Sequence, residues 1–342
     1  MAELKGVSAA GKLDLNNIKR WNTSTKCDYF FATQYKQSFV YFGTAAGTTK
    51  AQKDGDVCAM SGCVATLVEG VDKEDSYIWS PMPSLALRLC VNDNVHGSAK
   101  LCGGYACGEE IKMFGELAKP EYSKQMFSSK GYYTSKVIPQ YWRTSLTEPS
   151  QCSQWSDGTP QSSKSNLLVT QCCQQYIVSF YLYNSFIITD EHNNVSCSFS
   201  TGSVHFNRHV KCAIVDNDAF IICGGKMAKI ENVDKLLATN KEVSDVIQFT
   251  VDVPHINTTP FVVQGNLFVV GGCDKDDEPF SDIYQFMADT KEWKLVGLST
   301  VSRYGVSTVV FTDKNDHQAV FIAGGFKGES IPCSVIEKVS VV

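Results

Sequence analysis

Five polar residues stand at nearly even distances ahead of short apolar runs that end in glycine. Asp28 precedes Gly43 by 15 residues, Arg88 precedes Gly103 by 15, Arg208 precedes Gly224 by 16, and His255 precedes Gly271 by 16. Arg303 precedes Gly324 by 21, which fits the series if a longer hairpin turn at Asp313 to His317 absorbs the difference. Even spacing puts such residues at equivalent points of successive units, so they converge if the units close on one another. Planar guanidinium forks suit carboxylates, and several arginines gathered at one place are costly without anions. The chemistry this set can do is recognition of acidic groups. The competing use of each arginine is as scaffold, capping a strand end or pairing with a neighbouring acid.

Three other clusters have ligand-type residues at suggestive spacing. His205 and His209 stand at i,i+4, which on a helix would share one face and could hold zinc. The segment reads instead as strand and turn, which sets the two imidazoles about 13 Å apart and leaves ordinary surface histidines as the other reading. Cys58 with Cys63, and Cys102 with Cys107, have a spacing compatible with zinc, though a closer pair is the stronger signal. Cys102 and Cys107 are expected to flank a turn as packed thiols or a local disulfide. Asp274, Asp276, Asp277 and Glu278 could ligate a hard cation, but the run lacks the central glycine and terminal glutamate of a calcium loop and reads as a solvated loop. No metal and no cofactor are expected. Phosphate loops, dinucleotide fingerprints, His-Glu-x-x-His and nucleophile elbows are all missing from the sequence, which disfavours the common nucleotide- or metal-dependent enzymes.

The elements that would position these residues show in the glycines. Ile221 to Gly225, Phe268 to Gly272 and Phe321 to Gly325 are each a short apolar run closed by a glycine pair, at intervals of 47 and 53 residues. Gly103-Gly104 is a further copy, and Val40 to Gly43 resembles one that has lost a glycine. A strand that turns at once into its neighbour needs one residue free to take positive φ and another whose missing Cβ lets backbone approach. A period near 50 with one glycine pair per unit signals a radial repeat.

The unit at Gly271 is the most legible. After Gly271-Gly272 comes the acidic stretch, then Asp282 to Phe286 alternating like a strand, a turn at Ala288 to Thr290, and Lys291 to Val296. Tyr284 lies 12 residues after Gly272, and Trp293 lies 9 after that. This pattern resembles the kelch repeat, most specifically over residues 261–325, and Trp79 to Pro83 is similar to the end of a kelch blade. The resemblance implies an all-β single β-propeller of about six four-stranded blades spanning 1–342. In that family the glycines, here Gly103, Gly104, Gly224, Gly225, Gly271, Gly272, Gly324 and Gly325, end the second strand of each blade. Tyr284 and Trp293 would pack between blades. Asp245 to Phe249 is expected as the third strand after Gly224, and a degenerate blade is placed within 105–205, with Tyr176 to Leu182 and Asn184 to Ile188 as adjacent strands. The last unit lacks an outer strand, and the segment around 15–22, carrying Trp21, is expected to complete it and close the ring.

In such a ring Asp28, Arg88, Arg208, His255 and Arg303 would surround the mouth of the central channel, the face that commonly binds a partner in kelch-type propellers. The expected function is a non-catalytic binding module for a protein or peptide with acidic groups. The alternative is a small-molecule enzyme on the same scaffold, oxidase-like or specifier-like. Net charge is −5, with 31 Lys and Arg scattered along the chain, so nucleic acid is not an expected partner. No apolar stretch reaches the ~20 residues that span a bilayer. The fourteen cysteines form no tight framework, and Cys102 and Cys223 sit on strands where a thiol serves as a small apolar group. The expected compartment is the cytoplasm, or outside the cell if this is a mature chain without its signal peptide.

Overall fold

A computed structural model of the chain describes residues 13–23, 27–45, 57–68, 76–88, 98–107, 110–123, 132–145, 152–154, 167–173, 175–181, 185–190, 195–201, 204–239, 247–328 and 331–342. Side chains are described for 13–23, 30–43, 103–106, 112–114, 168–173 and the later ranges. Almost all of it is β-structure in four-stranded antiparallel sheets. The first sheet comprises Cys27–Tyr35, Ser38–Ala45, Val57–Val68 and Ser76–Arg88, and the second Ser98–Cys107, Glu110–Ser123, Tyr132–Ser145 and Cys152–Gln154. The third comprises Leu167–Cys173, Tyr176–Tyr181, Ser185–Asp190 and Val195–Ser200, and the fourth Lys211–Val215, Asp218–Cys223, Lys226–Ile230 and Val251–Asp252. The fifth is Thr259–Val263, Asn266–Val270, Asp282–Met287 and Glu292–Leu298. In the sixth, Ser307–Thr312, Gln318–Ala323 and Val335–Val341 are joined by Leu13–Asn22 from the other end of the chain, with Trp21 opposite Ile336. Among the described residues, no helix is long and apolar enough to cross a membrane.

Each sheet's first strand lies against the first strand of the next, and that of the sixth lies against that of the first. The sheets therefore face one another pairwise around an axis, an arrangement consistent with a β-propeller. This explains why the second strands are continuous apolar runs rather than alternating ones: both of their faces are buried. In Tyr176–Tyr181 every residue is buried. Ile177 and Tyr181 pack with Tyr105 and Phe114 of the second sheet, whereas Tyr176, Val178 and Phe180 pack with Cys212, Ile214 and Ile221 of the fourth. Asp218–Cys223 repeats the logic, Ile221 facing the third sheet and Phe220 and Ile222 facing Leu267 and Val269 of the fifth. Gln318–Ala323 does so again, with Val320 and Ile322 toward the fifth sheet and Phe321 toward Phe39 and Tyr41 of the first. Tight two-residue turns join several of these strands. Asp216-Asn217 (φ 45° and 75°) and Gln264-Gly265 (φ 47° and 74°) have the positive φ pairs such hairpins require.

Three local expectations are corrected. Gly103-Gly104 does not end a second strand; both glycines lie within Ser98–Cys107, the first strand of the second sheet. A Cβ on Gly103 would come within 1.8 Å of the Thr170 carbonyl oxygen on the neighbouring first strand, so bare backbone is needed here for sheet-to-sheet approach rather than for a turn. Cys102 and Cys107 lie on that same extended strand, where five residues span roughly 16 Å, too far for a local disulfide. The third strand after Gly224 is Lys226–Ile230, entered directly from the turn Gly224-Gly225. Of the segment expected there, Ile247 to Phe249 is irregular and packs on the core between the third and fourth sheets, while 245–246 lie outside the described residues.

Candidate functional site

The first strands of all six sheets wall a central cavity of about 540 Å³. A first strand is an edge, and its free backbone groups must be satisfied. Polar side chains of this wall do so across neighbouring sheets. The Ala32 amide donates to Ser307 Oγ at 2.9 Å, and Gln34 exchanges two bonds with the Thr312 backbone at 2.8 and 3.0 Å. Ala106 N–H donates to Thr33 Oγ1 at 3.3 Å, and the Cys212 amide donates to Gln171 Oε1 at 2.7 Å. The Thr259 and Thr308 hydroxyls donate to the carbonyls of Val306 and Pro260 at 3.0 and 2.9 Å. These threonines, glutamines and Ser307 are thus committed to joining neighbouring sheets.

Two cations in the wall are not committed in this way. Arg208 sits just ahead of Lys211–Val215, in a turn closed by the Asn207 carbonyl accepting from Val210 N–H at 3.1 Å. Its guanidinium carbon lies 4.9 Å over the Phe326 ring, and its Nε donates to His209 Nε2 at 3.1 Å. No carboxylate pairs with Arg208 or Lys211 among the described residues. Among the described residues, the cavity wall contains no Asp or Glu. Burial pushes the Lys211 ammonium down to about 8, offset in part by the nearby Cys173 thiol. Burial, then the charges of Arg208 and Lys211, push His209 down to about 3, so this imidazole is neutral and can accept from Arg208. The Cys173 thiol is raised well above its usual value, first by the Cys212 side chain bonded to it and then by burial.

Phe326 also lines the cavity. It is 4% exposed and belongs to the small ribbon Phe326–Lys327 with Ile331–Pro332. Its ring reaches Arg208, the edge of His209, the tilted ring of Tyr304, and Phe30 of the first sheet.

Of the five residues expected at the mouth, Arg208 lines the cavity. Arg303 does not: it is 1% exposed and is enclosed beneath the sixth sheet. Its Nη2 pairs with Glu337 and donates to the Ile322 carbonyl at 3.1 Å, and its Nη1 donates to Val335 O at 2.6 Å and Gly324 O at 3.0 Å. The Glu337 carboxylate also accepts from Ser299 Oγ at 3.0 Å and the Thr300 amide at 2.6 Å. This is the scaffold use of an arginine. His255 is stacked on Phe280, centroids 3.9 Å apart, with Nε2 2.8 Å from Asp282 Oδ2, and it is not part of the cavity wall. Asp28 lies on the first strand of the first sheet, and Arg88 ends that sheet's fourth strand opposite Val57 rather than leading into a first strand; their side chains lie outside the described residues.

The repeat residues take these places. Gly271 and Gly272 have φ of 63° and 114°, and the Gly272 amide donates to the Arg303 carbonyl at 3.1 Å. Tyr284 and Trp293 pack against the core shared by the fourth and fifth sheets, and Trp293 Nε1 donates to Asp252 O at 3.0 Å across that boundary. Asp274 Oδ1 accepts from the amides of Asp276 and Glu278 at 2.8 and 3.0 Å, folding the acidic loop on itself. No group of three or more His, Cys, Asp or Glu able to hold a metal occurs among the described residues.

Lys211 was not singled out by spacing. Its signal was a lysine opening the apolar strand Lys211-Cys-Ala-Ile-Val, where alternation sends the first residue to the same face as Ala213.

No family model and no curated protein matches the chain. Among solved structures it is similar to that of YjhT, with a TM-score of 0.56 at 8% identity, over 94% of this chain and 99% of that one. At that identity the likeness is one of fold.

Proposed function

We propose that this chain is one closed six-bladed propeller of kelch type, spanning 1–342, whose central channel binds carboxylate groups presented by an acidic protein or peptide segment. The observation that carries the reading is the wall of the cavity: Arg208 and Lys211 line it, no acid does among the described residues, and its serine, glutamines and several of its threonines are bonded to neighbouring strands. Two cations held near each other without counter-charge favour an incoming anion, and a guanidinium already fixed over Phe326 loses little freedom on engaging one. The cyclic order of the first strands and the pairing of Leu13–Asn22 with Val335–Val341 support the closed ring. The thiols of Cys173, Cys212, Cys223, Cys273 and Cys333, which form no disulfide, support a reducing compartment such as the cytoplasm.

The test is fluorescence anisotropy with a labelled glutamate-rich peptide and an amide-substituted control of the same length. Arg208→Ala and Lys211→Ala should each weaken binding of the acidic peptide by about 1–3 kcal/mol, and binding should fall with added salt. Equal binding of the two peptides, or unchanged affinity in both variants, would sink the reading. The cavity volume also falls within the range of small-molecule sites, and this favours an enzyme on the same scaffold as the second reading.

A further inference from the structure

We propose that the channel also takes a small 2-oxo carboxylate, holding its carboxylate at Arg208 and capturing its carbonyl carbon as an imine on Lys211 Nζ. The inference goes beyond peptide binding and rests on that reading only for Arg208 as the carboxylate clamp. Its starting point is the setting of Lys211. The residue opens the first strand of the fourth sheet, three positions after Arg208, and lines a cavity of about 540 Å³ with no acid among the described residues of its wall. A lysine in a protein wall is normally found with a carboxylate, because a buried ammonium without one is costly. Here the neighbour is the Cys173 thiol, whose pKa is raised well above its usual value, so that it is neutral at physiological pH.

Such an amine can be a nucleophile because part of it is uncharged. With Lys211 pushed down to about 8, about a quarter carries no proton at pH 7.5, against roughly one in a thousand for an ordinary lysine. The neutral nitrogen adds its lone pair to the ketone carbon, giving a carbinolamine. The two N–H protons leave with the former carbonyl oxygen as water, and a C=N bond remains. No oxidant or reductant is needed. Arg208 supplies orientation: its guanidinium is held between the Phe326 ring and His209, and its Nη groups have no partner among the described residues. A carboxylate on the fork would leave the adjacent carbonyl within the same cavity as Lys211. A simple aldehyde has the carbonyl but nothing for Arg208 to hold.

The experiment is reductive trapping. The full chain is incubated with pyruvate and sodium borohydride at pH 7.5, digested, and each lysine's carboxyethyl adduct is quantified by mass spectrometry; acetaldehyde replaces pyruvate in a parallel arm. Expected is an adduct concentrated on Lys211 with pyruvate, at least tenfold above the exposed Lys226. Preference for Lys211 should be lost with acetaldehyde, lowered at least fivefold in Arg208→Met, and gone in Lys211→Arg. Thermal melts of both variants establish that they are folded. Lys211 labelled no faster than Lys226, or labelled equally by pyruvate and acetaldehyde, overturns the proposal. If that happens while Arg208→Ala still weakens the acidic peptide, the imine alone is wrong. If the peptide result fails as well, both fall together.

Discussion

Arg208 and Arg303 carry the same residue type at comparable places ahead of a glycine pair, yet they occupy opposite electrostatic settings. Arg303 is sealed beneath the sixth sheet with Glu337 and three backbone carbonyls as acceptors. Arg208 is half-buried in the cavity wall, stacked on an aromatic ring and bonded to a neutral imidazole. What separates them is an acid placed elsewhere in the sequence: Glu337 sits within the apolar run Val335-Ile-Glu-Lys-Val, and it is 0% exposed. A buried carboxylate that far from water demands a cation, and Arg303 is the one within reach. Spacing identifies where an arginine enters a repeat; the distribution of buried acids decides whether it is scaffold or site.

The contrast breaks most visibly at Arg303. Arg303→Ala leaves Glu337 buried without its cation and should cost about 3–5 kcal/mol of stability, read by chemical denaturation. Loss of peptide binding should appear only in proportion to unfolding. A variant that melts normally but fails to bind would move Arg303 from scaffold to site. Gly272→Val should act on the same region with an effect of similar order. Its φ of 114° is closed to a β-branched residue, and a Cβ there would meet His255 Cβ at 2.6 Å and Ile256 O at 2.8 Å. Several kcal/mol are therefore expected, and an unchanged melting temperature would contradict the role assigned to this glycine.

Much of the architecture was readable because its cause is local. Gly224-Gly225, Gly271-Gly272 and Gly324-Gly325 have positive φ, a property the sequence advertises by using the residue that tolerates it. The lone outer strand at 13–22 was legible because the last unit was one strand short. Gly103-Gly104 was misplaced for a physical reason: the demand there comes from Thr170, more than sixty residues away on another sheet, and nothing local records it. Lys211 escaped for the same reason. Its meaning depends on which polar groups of the other five sheets are already engaged, and Thr33, Gln171 and Ser307 look no different in sequence from free ligands.

Smaller effects sharpen the channel side of the comparison. A Cβ on Gly305, whose φ is 61°, would lie 2.5 Å from His209 Nδ1. Gly305→Ala should cost about 1–2 kcal/mol for the left-handed backbone and shift the imidazole that holds Arg208. Affinity for the acidic peptide should fall alongside this modest loss; unchanged affinity would mean that His209 does not position Arg208. Arg208→Ala should be milder still for stability, within about 1 kcal/mol for a partly exposed cation–π contact, while weakening binding. The ratio of affinity loss to stability loss should thus be high at Arg208 and low at Arg303.

The last distinction is in pH dependence, and it belongs to Lys211. Folding lowers this ammonium from the ordinary 10.5 to about 8 through burial. Between those values the unfolded chain holds the proton more often than the folded one, so stability rises with pH across that window. Below about 8 both states are protonated and the full penalty remains; above 10.5 both are neutral and the slope vanishes. Lys211→Met should therefore raise the melting temperature at pH 7 and remove part of the rise between pH 8 and 10.5. The wild-type minus variant difference cancels the lysines and tyrosines elsewhere that titrate in the same range. A bound acidic peptide should act in the same direction as the mutation, since its carboxylate restores charge to Lys211 and pulls the folded value back toward the unfolded one. If the difference curve is flat from pH 8 to 10.5, Lys211 is charged and solvated in the folded protein. The channel would then lack the electrostatic asymmetry that separates it from the sealed pair at Arg303.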